Sequence, residues 1–144
     1  MTSPLSPHPP IESTLDIRVY YEDTDAGGIV FYANYLKFME RGRTEWLRSL
    51  GFDQSRLARD SGHVFVVAAL DMRYRKPARL DDMLTIRTRV TRVGRASIHF
   101  AQRAERSGEL LAEGNIQVGC VDGATLRPAE LPPELRATLE SIQE

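Results

Sequence analysis

A chain of 144 residues suits one domain with a substantial core. Its formal net charge of −1 gives no whole-chain sign of a nucleic-acid partner. Cys120 is the single cysteine, which excludes an intrachain disulfide and a cysteine metal cluster, and no stretch approaches the roughly 18 apolar residues of a membrane-spanning helix.

Met1 to Ile17 contains no Lys or Arg and no long apolar run. That argues against a signal peptide and makes a reducing cytoplasm the expected location. Residues 1–13 are rich in Pro and Ser and read as a disordered leader to a single domain over residues 14–144. Leu15, Ile17, Val19 and Tyr21 then alternate with Asp16, Arg18 and Tyr20, the pattern of a half-buried strand. An acidic turn follows, in which Gly27 and Gly28 can take positive φ or let another backbone or a ligand come close.

The longest amphipathic segment comes next. Asn34 is the N-cap candidate, and Gly51 ends the helix as a C-terminal cap. Leu36, Met39, Arg43, Trp46, Leu47 and Leu50 form one stripe, which Tyr35, Phe38 and Gly42 widen, so other structure is expected to surround much of this helix. Gly42 costs about 1 kcal/mol against Ala in a helix, and the expected compensation is close packing on a sheet or a second helix. Phe52 to Asp60 predicts a shorter helix.

From Val64 the period changes to two. Val64–Arg75 predicts a strand whose first half, to Leu70, is apolar on both faces, as in a strand covered on both sides or paired with another subunit. Leu84–Val93, Ala96–Arg106 and a last strand carrying Leu110, Ala112, Ile116, Val118 and Cys120 read as an antiparallel meander with turns at Gly94-Arg95 and Ser107-Gly108. Pro132-Pro133 opens a terminal helix with Leu135, Leu139 and Ile142 on one face. The order strand, long helix, four strands gives an α+β class.

The chemistry concentrates between Glu22 and Tyr35. Asp25 is an acid just ahead of a helix, placed to act as general base or nucleophile on a carbonyl. The competing reading is a turn Asp that caps the helix. Glu22 and Asp23 are assigned structural roles, because three ionised carboxylates in one small site repel one another. Tyr32 is the second candidate, through its backbone N–H at the helix start, against a plain packing role. Asp23-x-Asp25 does not continue as a calcium loop, since the twelfth position is Asn34. An aspartyl-phosphate motif would need a parallel α/β sheet, which the run of consecutive strands does not offer. His63 and His99 fall in no metal spacing and read as structural, so no metal is expected. Arg73, Arg75, Lys76 and Arg79 form a short basic cluster, either a solvated edge or a phosphate contact.

The run from Val19 to Tyr35, VYYEDTDAGGIVFYANY, resembles the signature of the 4-hydroxybenzoyl-CoA thioesterase-like hotdog family, and within it the acyl-CoA thioesterases associated with the Tol–Pal system. The likeness continues through RGRTEWLRSLG and YRKPARLDDML and covers nearly the whole chain after the leader. The resemblance implies a hotdog fold, a curved antiparallel sheet of about five strands wrapped around one long helix. It implies hydrolysis of an acyl-CoA thioester without cofactor or metal, by a homodimer or homotetramer with sites at the subunit interface. It places the catalytic acid at Asp25 and the carbonyl-polarising N–H at Tyr32, with Gly28 and Phe31 expected against the substrate. The acyl-CoA branch often carries His where this chain has Tyr32; a backbone contact survives that change. The rival on the same fold is a module that binds acyl-CoA or acyl-carrier protein without cleaving it. Dehydration of hydroxyacyl thioesters would need an Asp–His pair that His63 and His99 do not supply.

Overall fold

A computed structural model of the chain describes residues 12–142. The elements run β1 (Glu12–Arg18), a 3-10 turn (Tyr21–Asp23), α1 (Asn34–Ser49), α2 (Gln54–Ser61), β2 (His63–Tyr74), β3 (Met83–Val93), β4 (Ser97–Arg106), β5 (Glu109–Asp122) and α3 (Pro133–Ile142). The five strands form one antiparallel sheet in the order β1-β3-β4-β5-β2. The curved sheet with α1 packed on it is the hotdog arrangement of the α+β class, as the sequence implied.

Alternation decides which face is covered. Leu84, Ile86, Thr88 and Val90 of β3 are buried together with Ile98, Phe100, Gln102 and Ala104 of β4 and Ala112, Ile116, Val118 and Cys120 of β5. The odd-numbered positions of these strands carry the charges of the other face, such as Arg87, Arg103 and Glu113. The core has two parts. One joins Tyr35, Phe38 and Met39 of α1 to Ile17, Val19, Leu84, Ile86 and Leu111. The other joins Trp46 and Leu47 to Phe100, Ile116 and the buried face of α3.

Gly42 marks where α1 comes down on the sheet. A Cβ built there would lie 2.9 Å from Ile86 Cγ2, 2.9 Å from Thr88 Oγ1 and 3.2 Å from Gln102 Nε2. Beside it, Gln102 Nε2 donates to the Met39 carbonyl at 2.9 Å and to Thr88 Oγ1 at 2.8 Å, while its Oε1 accepts from Arg43 Nη1 at 2.9 Å. Gly42 is thus the predicted close approach, and the partner is the sheet.

Four sequence expectations shift. β1 begins at Glu12, so Glu12 and Ser13 belong to the sheet rather than to a leader; the rest of that stretch lies outside the described residues. β1 also stops at Arg18. Val19 trades its ladder for hydrogen bonds with Asp82 O and Asp81 N, and Asp23 Oδ2 accepts the Tyr20 N–H at 2.8 Å, so Tyr21 turns out to solvent. Asn34 is not a cap: Ala33 already has helical φ and ψ, and the Asn34 side chain instead donates to the Asp23 carbonyl at 2.8 Å. Leu36, placed on the helix stripe, is only half-buried, because Tyr35 and Phe38 take the inward positions. The terminator Gly51 does adopt positive φ, 93°.

Gly42→Ala should destabilise the fold by about 1–3 kcal/mol through overpacking, although Ala is the better helix former. Chemical unfolding of the two proteins checks this; a gain in stability would mean α1 is not held at the distance described.

Candidate active site

The acidic turn is built by its own side chains. The Asp25 carbonyl accepts the Gly28 N–H at 3.0 Å and the Asp25 N–H donates to the Ile29 carbonyl at 2.9 Å. Asp25 Oδ1 accepts the Gly27 N–H at 2.8 Å. Gly28 takes φ 80°, a conformation that favours glycine. Asp25 therefore caps its own turn and not α1, and its second carboxylate oxygen is left exposed. Asp23 is the structural acid: its side chain is buried, holding the Tyr20 N–H, and its carbonyl receives Phe31 N at 3.1 Å as well as the Asn34 amide.

The segment between turn and helix is clamped by the β2–β3 connection. Val30 N donates to the Ala78 carbonyl at 2.8 Å, Ile29 bridges to Arg79, and Ala78 N donates to the Tyr35 hydroxyl at 3.1 Å. Arg106 fixes that connection in turn. Its guanidinium reaches Asp82 Oδ2 at 2.8 Å and Glu109 Oε1 at 2.7 Å, and Asp82 Oδ2 also accepts the Arg79 N–H at 2.8 Å. Partial burial works against the Asp82 carboxylate, but the bonds from Arg106 and the Arg79 N–H outweigh it and hold the group below its ordinary range.

No side chain among the described residues caps α1. Among the described residues, the N–H groups of Tyr32 and Ala33 have no acceptor. Both stand at the positive end of a sixteen-residue helix. The Tyr32 side chain packs at 4.9 Å from Phe31 and edge-on at 6.2 Å from Tyr74 of β2. Tyr32, Tyr35 and Tyr74, with Val30 and Pro77, line a largely apolar cleft of about 300 Å³. Burial raises the Tyr35 and Tyr74 hydroxyls above the usual phenol range.

The structure brings Tyr32 into this cleft but leaves Asp25, Gly28 and Phe31 outside its lining. Phe31 is half-exposed, and its N–H and that of Gly28 are already committed to the turn. Tyr35 and Tyr74 are the cleft residues the sequence did not single out. The available signal was a tyrosine at the end of a strand running into Pro77. In the basic cluster, Arg75 pairs with Glu113 at 2.8 Å and Lys76 with Glu109 at 2.6 Å, the pattern of a self-paired edge. Among the described residues there is no group of His, Cys, Asp or Glu that could hold a metal, and no helix long and apolar enough to cross a membrane.

Known proteins resemble this chain over most of its length. The thioesterase superfamily profile matches residues 27–113, more than half the chain, beginning two residues after Asp25. An acyl-CoA thioesterase YbgC of Haemophilus influenzae is 43% identical over 127 residues, 88% of this chain and 93% of that protein. An acyl-CoA thioester hydrolase YbgC of Escherichia coli is 45% identical over 122 residues, 84% of this chain and 90% of that protein. The crystal structure of a probable thioesterase from Bartonella henselae superposes with a TM-score of 0.80 at 34% identity, covering 84% of this chain and 99% of that one.

Because the folded Asp82 carboxyl titrates below its unfolded value of about 3.9, its contribution to stability is complete above that value. It is lost as pH falls through the lower folded value. Stability measured against pH for wild type and Arg106→Gln should differ most above pH ~4 and converge below it. A constant gap across the acid range would show that Arg106 does not act through Asp82.

Proposed function

The chain belongs to the thioesterase superfamily and is a thioester hydrolase; from that premise we propose that it hydrolyses acyl-CoA to a free acid and CoA with Asp25 and the Tyr32 N–H as its working groups. The carrying observation is the pair of unpaired N–H groups, Tyr32 and Ala33, at the uncapped start of α1, on the same short segment as an exposed carboxylate. The thioester carbonyl oxygen accepts from the Tyr32 N–H, and the helix dipole favours the charge that develops there. Asp25 takes a proton from water as the water attacks, or attacks the carbonyl itself to give a mixed anhydride that water cleaves. On either route the carbon–sulfur bond breaks, the electron pair leaves with the CoA sulfur, and a proton restores the thiol. A thioester is already an activated acyl group, so the proposal needs neither metal nor cofactor. Gly28 and Phe31 flank the reacting carbonyl, and the tyrosine-lined cleft takes part of the substrate.

The reading includes a homodimer, or a tetramer of two such dimers, in the cytoplasm. Its support is β2, a twelve-residue strand that among the described residues stands at the sheet edge, pairs only with β5 and exposes Val66, Val67 and Leu70. A long apolar edge of this kind is an aggregation liability when left open. A partner subunit there would also bring new walls to the Asp25 turn, which stands outside the cleft of a single chain.

Free-thiol release from aliphatic and aromatic acyl-CoA esters tests the chemistry. Asp25→Asn keeps an acceptor for the Gly27 N–H and removes the charge, so turnover should fall at least about a hundredfold with the unfolding midpoint unchanged. Full activity in the Asn variant would eliminate this mechanism, and tight acyl-carrier-protein binding without turnover by wild type would favour a binding module. Sedimentation should give a dimer or tetramer that Val66→Lys with Leu70→Lys converts to monomer; a wild-type monomer with full activity would remove the interface from the account.

A further inference from the structure

The entry to α1 carries one hydrogen bond that the helix itself does not require. The Tyr74 hydroxyl, at the end of β2, donates to the Tyr32 carbonyl at 3.1 Å. The same oxygen accepts the Tyr35 N–H at 3.4 Å, so it points along α1 as a first-turn carbonyl does. In the planar peptide joining Tyr32 to Ala33, the N–H stands opposite that carbonyl. The Ala33 N–H therefore points back out of the helix start, the end at which the acidic turn joins α1. Like the Tyr32 N–H, it has no acceptor among the described residues.

Two unpaired donors in succession at one helix end make a better oxyanion site than one. The bond from Tyr74 acts on the second of them. A hydrogen bond to a peptide oxygen polarises the whole amide and strengthens its N–H as a donor. Tyr74 is also well placed to hold that peptide still. Its ring packs 5.4 Å from Tyr35 and edge-on to Tyr32, and Tyr35 is itself tied to Ala78.

We infer that Tyr74 is a positioning residue for thioester hydrolysis: its hydroxyl orients and polarises the Tyr32–Ala33 peptide, so that the Ala33 N–H acts beside the Tyr32 N–H as a second donor to the oxyanion. This rests on the reading of Asp25 and Tyr32 given above. The effect belongs to the transition state, where the oxygen carries charge, and so enters kcat rather than KM.

The test uses the full chain and the acyl-CoA ester that wild type turns over best. Tyr74→Phe keeps the ring packing and should lower kcat about fivefold to tenfold, the worth of one neutral hydrogen bond. KM should stay within about twofold, and the unfolding midpoint should fall by no more than the few degrees that one hydrogen bond is worth. Replacing Ala33 by its α-hydroxy analogue turns the Tyr32–Ala33 amide into an ester, which deletes that N–H and also weakens the Tyr32 carbonyl as an acceptor; it should cost kcat roughly a hundredfold. Full kcat in either variant would overturn the inference, as would a Tyr74→Phe effect confined to KM. If wild type turns over and Asp25→Asn does not, such a result removes the role of Tyr74 alone; if Asp25→Asn is fully active, the underlying reading fails first.

Discussion

The contact on which the site depends is the approach of α1 to the sheet at Gly42. With hydrogen in place of Cβ, the helix comes close enough for Gln102 of β4 to reach the Met39 carbonyl, and the same amide binds Thr88 of β3 and Arg43 of α1. One side chain of β4 thus satisfies three groups on two other elements, α1 and β3, in the buried layer. Leaving such groups unpaired costs about 1–3 kcal/mol each, so the helix has little freedom to slide or rotate on the sheet. Its N-terminal N–H groups, some eight residues from this clamp, inherit that rigidity. Arg43 is the costly member of the arrangement. It is buried, burial pulls its guanidinium below the usual range, and the neutral Gln102 is its hydrogen-bond partner.

A second chain of bonds fixes the other half of the site. Arg106 of β4 holds Asp82, Asp82 holds the Arg79 N–H, and residues 78 and 79 pair with Val30 and Ile29. The acidic turn is thereby referenced to the same strand that references the helix. β4 carries Gln102 at one point and Arg106 four residues on, and both routes end within the short segment from Asp25 to Tyr35. A loop built this way is held from outside by the sheet rather than by its own core, which suits a segment that must leave a carboxylate exposed.

Most of the fold was legible because its signals are local. The period-two runs of β3, β4 and β5, the wide apolar stripe of α1 and the terminator Gly51 each report a nearby structural need. Gly42 was legible as a close approach, but not the identity of the Gln102 clamp, since that pairing spans 63 residues in sequence for the Met39 carbonyl. The errors have the same origin. Tyr21 fits the alternation of β1, and only the long-range bonds of Val19 to residues 81 and 82 end the strand before it. Asn34 has the composition of a cap, but the buried Asp23 carbonyl takes its amide. In the site, Asp25 and Tyr32 were singled out by motif and resemblance. Tyr35 and Tyr74 were not, because the cleft they form is a product of how the end of β2 meets the start of α1.

The absence of a cap on α1 ties these points together. A Ser, Thr, Asp or Asn at position 33 would ordinarily stabilise this helix by about 1 kcal/mol, yet the chain places Ala there, already in helical conformation. A capping side chain at position 33 would accept from the Tyr35 or Leu36 N–H, which here donate to the Tyr32 and Ala33 carbonyls instead, and it would occupy the space in front of the helix. The chain instead spends its nearby polar groups elsewhere: Asp25 on the Gly27 N–H, Asn34 on the Asp23 carbonyl, Asp23 on the Tyr20 N–H. Each of these bonds stabilises the turn without touching the first N–H groups of the helix. The stability given up at the helix start is recovered at Gly42 and Gln102, where burial is complete. The result is a helix whose start presents two unpaired donors, the Tyr32 and Ala33 N–H groups, on the same short segment of chain as an exposed acid.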